Sequence, residues 1–192
     1  HYTLGEDITF SPLAADSIIS IESSDVTLDL GGWSIIQGNA TAGVNGILIA
    51  EGLERVSVMN GTIRNVTGIG IVINNLVTPQ KNLIIREILF DGCQSRGISS
   101  TNVLPLLPIQ KIRIENCSFT ECLLPATGDS IIFLSATRSV FKNIYIANQS
   151  VAIGNKTLFN AGVTLSSIDS ILVERFIATG SLIGFNSNNI AA

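Results

Sequence analysis

The sequence has few charged residues, a single histidine, a single tryptophan and three cysteines in 192 residues. Charged residues make up 14% of the chain, against about 25% in an ordinary globular protein. An unusually large share of the side chains is therefore expected to be buried or to face a partner. The 11 Lys and Arg residues are scattered singly and the net charge is −4, which argues against a nucleic-acid partner, because phosphate binding needs a basic stripe.

Long hydrophobic runs are also missing, although 46% of the residues are hydrophobic. No run approaches the ~18 apolar residues that a membrane-spanning helix needs, so we expect a soluble protein without a membrane span. The odd number of cysteines argues against a dedicated disulfide framework. The length and the uniform composition indicate a single domain.

A repeat of about 28 residues runs through the chain. Inward-facing residues recur at positions x, x+2, x+5, x+7 and x+10; the spacing of two predicts a strand with one buried face, and the spacing of three predicts a tight corner. The six blocks begin at Leu28, Val56, Leu83, Ile112, Ser139 and Ile171. Glycine and asparagine, which tolerate a left-handed backbone, dominate the corner positions, which are Gly32, Asn60, Glu87, Asn116, Asn143 and Arg175.

A third strand follows a variable loop in each repeat. Three strands that recur in one direction have to pair in parallel with their counterparts one coil away, at about 4.8 Å. The interior then contains columns of similar residues, such as Ile35, Ile63, Phe90, Phe119 and Ile146, and Trp33 is also assigned to the interior. The third strands are predicted at 18–21, 46–49, 68–71, 97–98, 130–133 and 162–165, with a last strand at 182–185.

The segment Val26-Thr-Leu-Asp-Leu-Gly-Gly-Trp-Ser-Ile and the later Met59-Asn-Gly-Thr-Ile-Arg-Asn resemble the repeat of the pectin-lyase-like superfamily. This resemblance implies an all-β, right-handed parallel β-helix of about six to seven coils, with three short strands per coil. Residues 1–17 are expected to form an N-terminal cap or lead-in strand, and residues 18–192 the β-helix.

The resemblance also implies a possible activity on acidic polysaccharides, so the sequence is checked for the catalytic motifs of such enzymes. Histidine-dependent motifs of such enzymes are missing, because the one histidine is His1. The nearest approach to a catalytic group is Asp91 and Glu121, expected at adjacent outward positions one coil apart, with Arg64 on the preceding coil. Paired carboxylates serve hydrolysis, or bind calcium in a lyase where an arginine abstracts the proton. A solvated corner without catalytic function is the favoured interpretation, and no cofactor is expected outside the lyase alternative.

Three further sets of residues stand out. Arg86, Glu115, Lys142 and Glu174 are expected to alternate in sign along one edge of the solenoid. Cys93 and Cys122 occupy the same repeat position in adjacent coils, which permits a disulfide, although buried free thiols are favoured. Asn-x-Ser/Thr sequons, which are weak indicators of a secreted glycoprotein, occur at Asn39, Asn60, Asn65, Asn116, Asn148 and Asn155.

An apolar patch is predicted on the outer face of the last coils, formed by Val140, Tyr145, Leu172 and Ile177. Such patches are often interaction sites, although a loop at 150–162 could equally cover this one. An open C-terminal coil without a capping helix is a second expected surface for a protein partner or self-association.

These observations favour a non-catalytic structural or interaction module of an extracellular, cell-surface or virion assembly. A polysaccharide lyase or glycoside hydrolase is one alternative. A carbohydrate-binding domain that uses loops such as 101–108 is the other.

Overall fold

A computed structural model of the protein is all-β, and the described residues contain no helix. The described residues are 1–74, 78, 80–100, 109–122, 132–134, 141–142, 144–152, 163–168, 171–179 and 185–190, with side chains described within 1–74, 78, 80–100, 111–122 and 132. The strands in these ranges are β1 (Tyr2–Thr3), β2 (Ile8–Phe10), β3 (Ser17–Ile21), β4 (Thr27–Asp29), β5 (Ser34–Gln37), β6 (Asn45–Ile49), β7 (Glu54–Arg64), β8 (Ile71–Ile73), β9 (Lys81–Asp91), β10 (Ile98–Ser100), β11 (Ile109–Glu115), β12 (Ser118–Thr120), β13 (Ile132–Leu134), β14 (Phe141–Lys142), β15 (Ile144–Ala152), β16 (Val163–Ile168), β17 (Ile171–Thr179) and β18 (Phe185–Ile190).

The strands stack in three parallel ladders, which confirms the predicted parallel β-helix. The first ladder runs through β1, β4, β7, β9, β11, β15 and β17. The second runs through β2, β5, β7, β9, β12, β15 and β17, and the third through β3, β6, β8, β10, β13, β16 and β18. Because β7, β9, β15 and β17 belong to both the first and the second ladder, those coils contain two strands rather than three short ones.

The core is a continuous apolar column inside the coils. In the second ladder Ile35, Ile63, Phe90 and Phe119 are direct register partners, and each is 0% exposed. The rings of Phe90 and Phe119 stack with centroids 4.8 Å apart and an interplanar angle of 5°. No coil can bury this inner face alone, so the neighbouring coils hold each other in place.

The prediction for the fifth repeat was wrong. The register partner of Phe119 is Val151, whereas Ile146 pairs with Ile114 and Val173 in the first ladder. The fifth block therefore starts at Ile144 rather than at Ser139. The apolar spacing around residues 139–146 fits the repeat template in both positions, and only the pairing with both neighbouring coils decides between them.

The predicted register of the first strand of the first repeat was also wrong, by two residues. Val56, Leu83 and Ile112 form one column as predicted, but Leu28 pairs with Val58. Seven positions separate Leu28 from Ile35, whereas five separate their partners Val58 and Ile63. The two extra residues lie in a longer corner that a template of fixed spacing cannot detect.

This longer corner also explains why the interior assignment of Trp33 was wrong. The Trp33 side chain is 43% exposed, while Leu30 is 0% exposed and fills the interior at the corner. Room for Leu30 comes from Gly61 on the next coil, because a Cβ atom at Gly61 would clash with the Leu30 Cβ and lie 2.6 Å from the Trp33 carbonyl oxygen.

Left-handed residues recur at three places in the coils. The predicted corner column is confirmed at four positions, with positive φ at Gly32, Asn60, Glu87 and Asn116. Two further columns were not predicted; charged residues dominate only the first of them. One contains Asp25, Arg55, Asn82 and Lys111, and the other contains Asn65, Gly92 and Glu121.

Two buried glutamines connect the backbones of neighbouring coils and were also missed. Gln80 is 0% exposed; its Oε1 accepts a hydrogen bond from the Leu53 N–H at 3.1 Å, and its Nε2 donates to the Asn74 carbonyl at 2.8 Å. Gln37 Oε1 accepts from the Thr67 N–H at 2.8 Å. Both side chains satisfy backbone groups that strand pairing leaves open.

The two ends of the chain continue the ladders. Within 1–17, β1 pairs with β4 and β2 pairs with β5, so this segment contributes lead-in strands to the first coil. At the other end β18 spans Phe185–Ile190, and Phe185 pairs with Val163. The polar residues 186–190, predicted to follow the last strand, are therefore part of it, and most of the predicted strand 182–185 lies outside the described residues.

We predict that Phe90→Ala lowers the free energy of unfolding by about 3–5 kcal/mol, because it removes a fully buried ring from the column and leaves a cavity. Urea titration followed by circular dichroism measures the change. Phe10→Ala is the matched control: Phe10 is 39% exposed, and its loss should cost about 1 kcal/mol or less. Equal losses for the two variants would contradict the assignment of Phe90 to the core.

Candidate functional site

Arg64, Asp91 and Thr120 form an outward polar row across three coils. Arg64 pairs in register with Asp91, and Asp91 with Thr120. Arg64 Nε lies 2.9 Å from Asp91 Oδ2, and Thr120 Oγ1 donates a hydrogen bond of 3.4 Å to Asp91 Oδ1. The arginine and aspartate side chains are 43% and 27% exposed. Both carboxylate oxygens of Asp91 are therefore occupied by neighbouring coils.

Glu121 does not occupy the position beside Asp91 that the sequence suggested. The register partner of Asp91 is Thr120, and Glu121 follows it as an exposed residue with φ of 52°. The repeat spacing itself pairs Asp91 with Thr120, because each lies eight residues after the start of its block, at Leu83 or Ile112. The expected pairing with Glu121 was therefore wrong by one residue. The three candidate catalytic residues thus form one ion pair and a separate carboxylate.

The described residues of this row do not fit a calcium ion. Calcium takes six to eight oxygen ligands, usually from several carboxylates, whereas Asp91 is held by an arginine and its in-register neighbours add no second carboxylate. Among the residues with described side chains, no group of three or more His, Cys, Asp or Glu side chains comes together.

A larger group of charges, which we name the three-coil charge cluster, consists of Asp25, Glu54, Arg55 and Lys81. Arg55 binds Asp25 in a bidentate pair, with Nε–Oδ1 at 2.5 Å and Nη2–Oδ2 at 2.9 Å. Glu54 contacts Arg55 Nη1 at 3.1 Å and Lys81 Nζ at 2.8 Å. The cluster links three successive coils along the surface, and its side chains are between 35% and 63% exposed.

These contacts shift the ionisation of both acids in the same direction. The hydrogen bond from Arg55 lowers the pKa of Asp25, and the hydrogen bond from Lys81, with its positive charge, lowers the pKa of Glu54. The same pairing raises the pKa of Arg55. All three groups are therefore held in their charged forms, as expected for ion pairs that join coils rather than for a general acid or base.

The predicted alternating edge of Arg86, Glu115, Lys142 and Glu174 forms only in part. Arg86 and Glu115 are register partners, but Lys142 pairs with Gln110, and Ala147 occupies the position between Glu115 and Glu174. This error follows from the displaced fifth repeat. Glu115 Oε1 also accepts a hydrogen bond from Arg113 Nη2 on the same strand, at 2.5 Å.

A groove at the N-terminal end of the solenoid was not found from the sequence. It encloses about 510 Å³ between the first and second coils. Its lining is mixed, with apolar and polar side chains from both coils. The lining residues are Tyr2, Thr3, Leu4, Ile19, Ser20, Ile21, Glu22, Ser23, Val26 and Leu28. Tyr2 is 66% exposed, so this end presents an aromatic side chain to solvent.

The apolar outer patch stays a prediction. Tyr145 and Leu172 are direct register partners, which is the adjacency that the patch requires, while Ile177 pairs with Ser150. Val140 lies outside the described residues, as do the loop 101–108 and most of the segment 150–162.

The three cysteines are free and buried. Of the six sequons, Asn60, Asn65 and Asn116 are exposed. Asn39 is half-buried, and its Nδ2 donates a hydrogen bond of 2.7 Å to the Pro12 carbonyl. The side chains of the other two sequon asparagines are outside the described set.

Comparison with known proteins does not assign a family. No family model matches the chain, and no solved structure matches it. Among curated proteins, the ATP synthase gamma chain of Azobacteroides pseudotrichonymphae genomovar. CFP2 is similar, with 26% identity over 90 residues that cover 46% of this chain and 31% of that protein. The chain thus spans about a third of the length of that relative.

The described part of the chain also contains no helix of the length and hydrophobicity needed to cross a membrane.

We predict that Lys81→Met lowers the melting temperature by about 1–2 °C near neutral pH and has no effect at about pH 2. The pKa of Glu54 is lowered from its ordinary value of 4.5, so its contribution to stability is present above that value and is lost as the pH falls through the lower folded pKa. Melting curves across the pH range measure this.

The matched control for this experiment is the same substitution in a Glu54→Gln background. There Lys81→Met should leave the melting temperature unchanged at every pH, and in the wild-type background 1 M salt should reduce its effect. An undiminished effect of Lys81→Met in the Glu54→Gln background would mean that the lysine stabilises the coil through other contacts.

Proposed function

We propose that this protein is a non-catalytic structural module of the pectin-lyase-like type, which serves as a stiff spacer or docking element without a cofactor. The observation that carries this proposal is the use of outward charged side chains to join one coil to the next. The Arg64–Asp91 pair and the three-coil charge cluster both cross coil boundaries. Charges that bind each other across coils stabilise a rod.

Catalytic carboxylates usually differ from such ion pairs in their pKa. A general acid or base has a pKa moved toward the working pH by burial or by a like charge. Asp25 and Glu54 instead have lowered pKa values because cations face them, and Asp91 faces Arg64. The environments of Asp25 and Glu54 favour a permanent charge, which suits an ion pair and not a proton transfer.

The interior supports the mechanical part of the proposal. The core column of Ile63, Phe90 and Phe119 is fully buried, and each coil pairs with both neighbours through backbone hydrogen bonds. Local opening of one coil has to break the packing and the hydrogen bonds on both sides, so we expect resistance to proteases over these coils.

The proposal assigns the module to an extracellular, cell-surface or virion assembly. The exposed sequons at Asn60, Asn65 and Asn116 are compatible with secretion. The protein partner, or a second copy of the chain, is proposed to contact the outer patch that includes the register pair of Tyr145 and Leu172.

Carbohydrate binding is a second candidate, favoured by the position of Trp33. The indole is 43% exposed and Tyr2 is 66% exposed, so the first two coils display aromatic side chains of the kind that stack on sugar rings. This position differs from the loop 101–108 that the sequence suggested for sugar binding, and it depends on the exposure of Trp33.

A screen of acidic and neutral polysaccharides, with and without calcium, separates the candidates. We expect no product from any of them. Because Trp33 is the single tryptophan in the sequence, its fluorescence reports binding at the first coils directly, and for a purely structural module we expect no change on titration with the same polysaccharides.

Two outcomes contradict the structural proposal. Product formation that Asp91→Ala abolishes, while the conservative Thr120→Ser leaves it intact, would identify an enzyme. A saturable fluorescence change without product would identify a carbohydrate-binding domain, provided that calorimetry detects binding to the wild type and not to Trp33→Phe.

A further inference from the structure

Two buried cysteines on adjacent coils lie opposite each other. The ladder pairs Phe90 with Phe119 and Asp91 with Thr120, and the backbone N–H of Gly92 continues it with a hydrogen bond of 2.9 Å to the Thr120 carbonyl. The same offset places Cys93 against Cys122. Both side chains are inside the solenoid, at 0% and 1% exposure.

The two thiols are close enough for each to shift the pKa of the other. Cys122 Sγ also lies 3.7 Å from the Phe90 carbonyl oxygen. In-register parallel neighbours are about 4.8 Å apart along the solenoid axis, within the Cα separation of about 4.4–6.8 Å that a disulfide accepts. Both residues follow a left-handed residue, Gly92 or Glu121, at the end of the regular strand.

We propose that Cys93 and Cys122 form a reversible disulfide that joins the coil of β9 to the coil of β11 and β12. A bond at this point closes a loop through one complete turn of the solenoid. Such a cross-link adds to the core stack of Phe90 and Phe119 immediately beside it, and it makes separation of these two coils dependent on reduction.

The oxidant is a low-molecular-weight disulfide. The Cys122 thiolate attacks one sulfur of that disulfide, whose S–S bond breaks and releases one thiolate. Cys93 then loses its proton and attacks Cys122 Sγ, and the second small thiolate leaves. Two protein thiols are oxidised, one small disulfide is reduced to two thiols, and the released protons end on those thiols.

The electrostatics of the pair agree with this order of attack. A hydrogen bond from Cys93 lowers the pKa of Cys122, and the same contact, with burial, raises the pKa of Cys93. The third cysteine differs, because burial raises the pKa of Cys117 to about 12. Its sulfur contacts the Glu115 carbonyl oxygen at 3.5 Å instead of another thiol, so Cys117 is expected to stay reduced.

The test is to unfold the protein in denaturant, so that access to the sulfurs is not limiting, and to refold it in a glutathione buffer of rising oxidised fraction. Free thiols are then counted in denaturant, and the intact mass is measured. We expect two of three thiols to be lost with a mass decrease of two hydrogens. The melting temperature should rise by about 5–10 °C, and a reductant should reverse the change.

Serine variants identify the bridge. Cys117→Ser should still lose two thiols and gain the same thermal stability, whereas Cys93→Ser and Cys122→Ser should show neither the two-hydrogen mass decrease nor the gain. Retention of all three thiols, a stable glutathione adduct in place of an internal bridge, or a bridge that needs Cys117 would each overturn the proposal.

Discussion

In-register parallel stacking is the constraint on which this structure depends. A coil has an apolar inner face and unpaired strand edges, and neither can be satisfied within the coil itself. Both are satisfied together when the next coil stacks on it with equivalent positions of the repeat in register. The stack of Phe90 on Phe119 and the buried amide of Gln80, which satisfies backbone groups at the ends of strands, are two forms of the same requirement.

The outer face follows from the same stacking. Because each outward residue has a neighbour one coil away, charges placed there meet other charges, and pairs such as Arg64–Asp91 and Glu54–Lys81 result. Individually, exposed pairs contribute little, but each favours the register in which opposite charges on neighbouring coils meet. This arrangement supports the proposed structural role of these carboxylates.

The sequence was sufficient to predict the fold but not the register at every coil. Apolar side chains repeat because the core demands it, so Val56, Leu83 and Ile112 aligned correctly. Errors arose where the chain length between strands changes: at the longer corner before Trp33, and in the fifth repeat, where the sequence fits the repeat template in two alignments. The candidate site depended on the same details. The expected pairing of Asp91 with Glu121 was wrong by one residue, although the repeat that aligns Leu83 with Ile112 already aligns Asp91 with Thr120.

Nuclear Overhauser contacts between methyl groups test the stacking most directly. The account predicts contacts within the column of Leu28, Val58, Ile85 and Ile114, each linking residues one coil apart, together with contacts from Val56 to Leu83. Contacts from Leu28 to Val56 stronger than those to Val58 would contradict the register. Contacts only between strands adjacent in sequence, as in a β-hairpin, would contradict the solenoid itself.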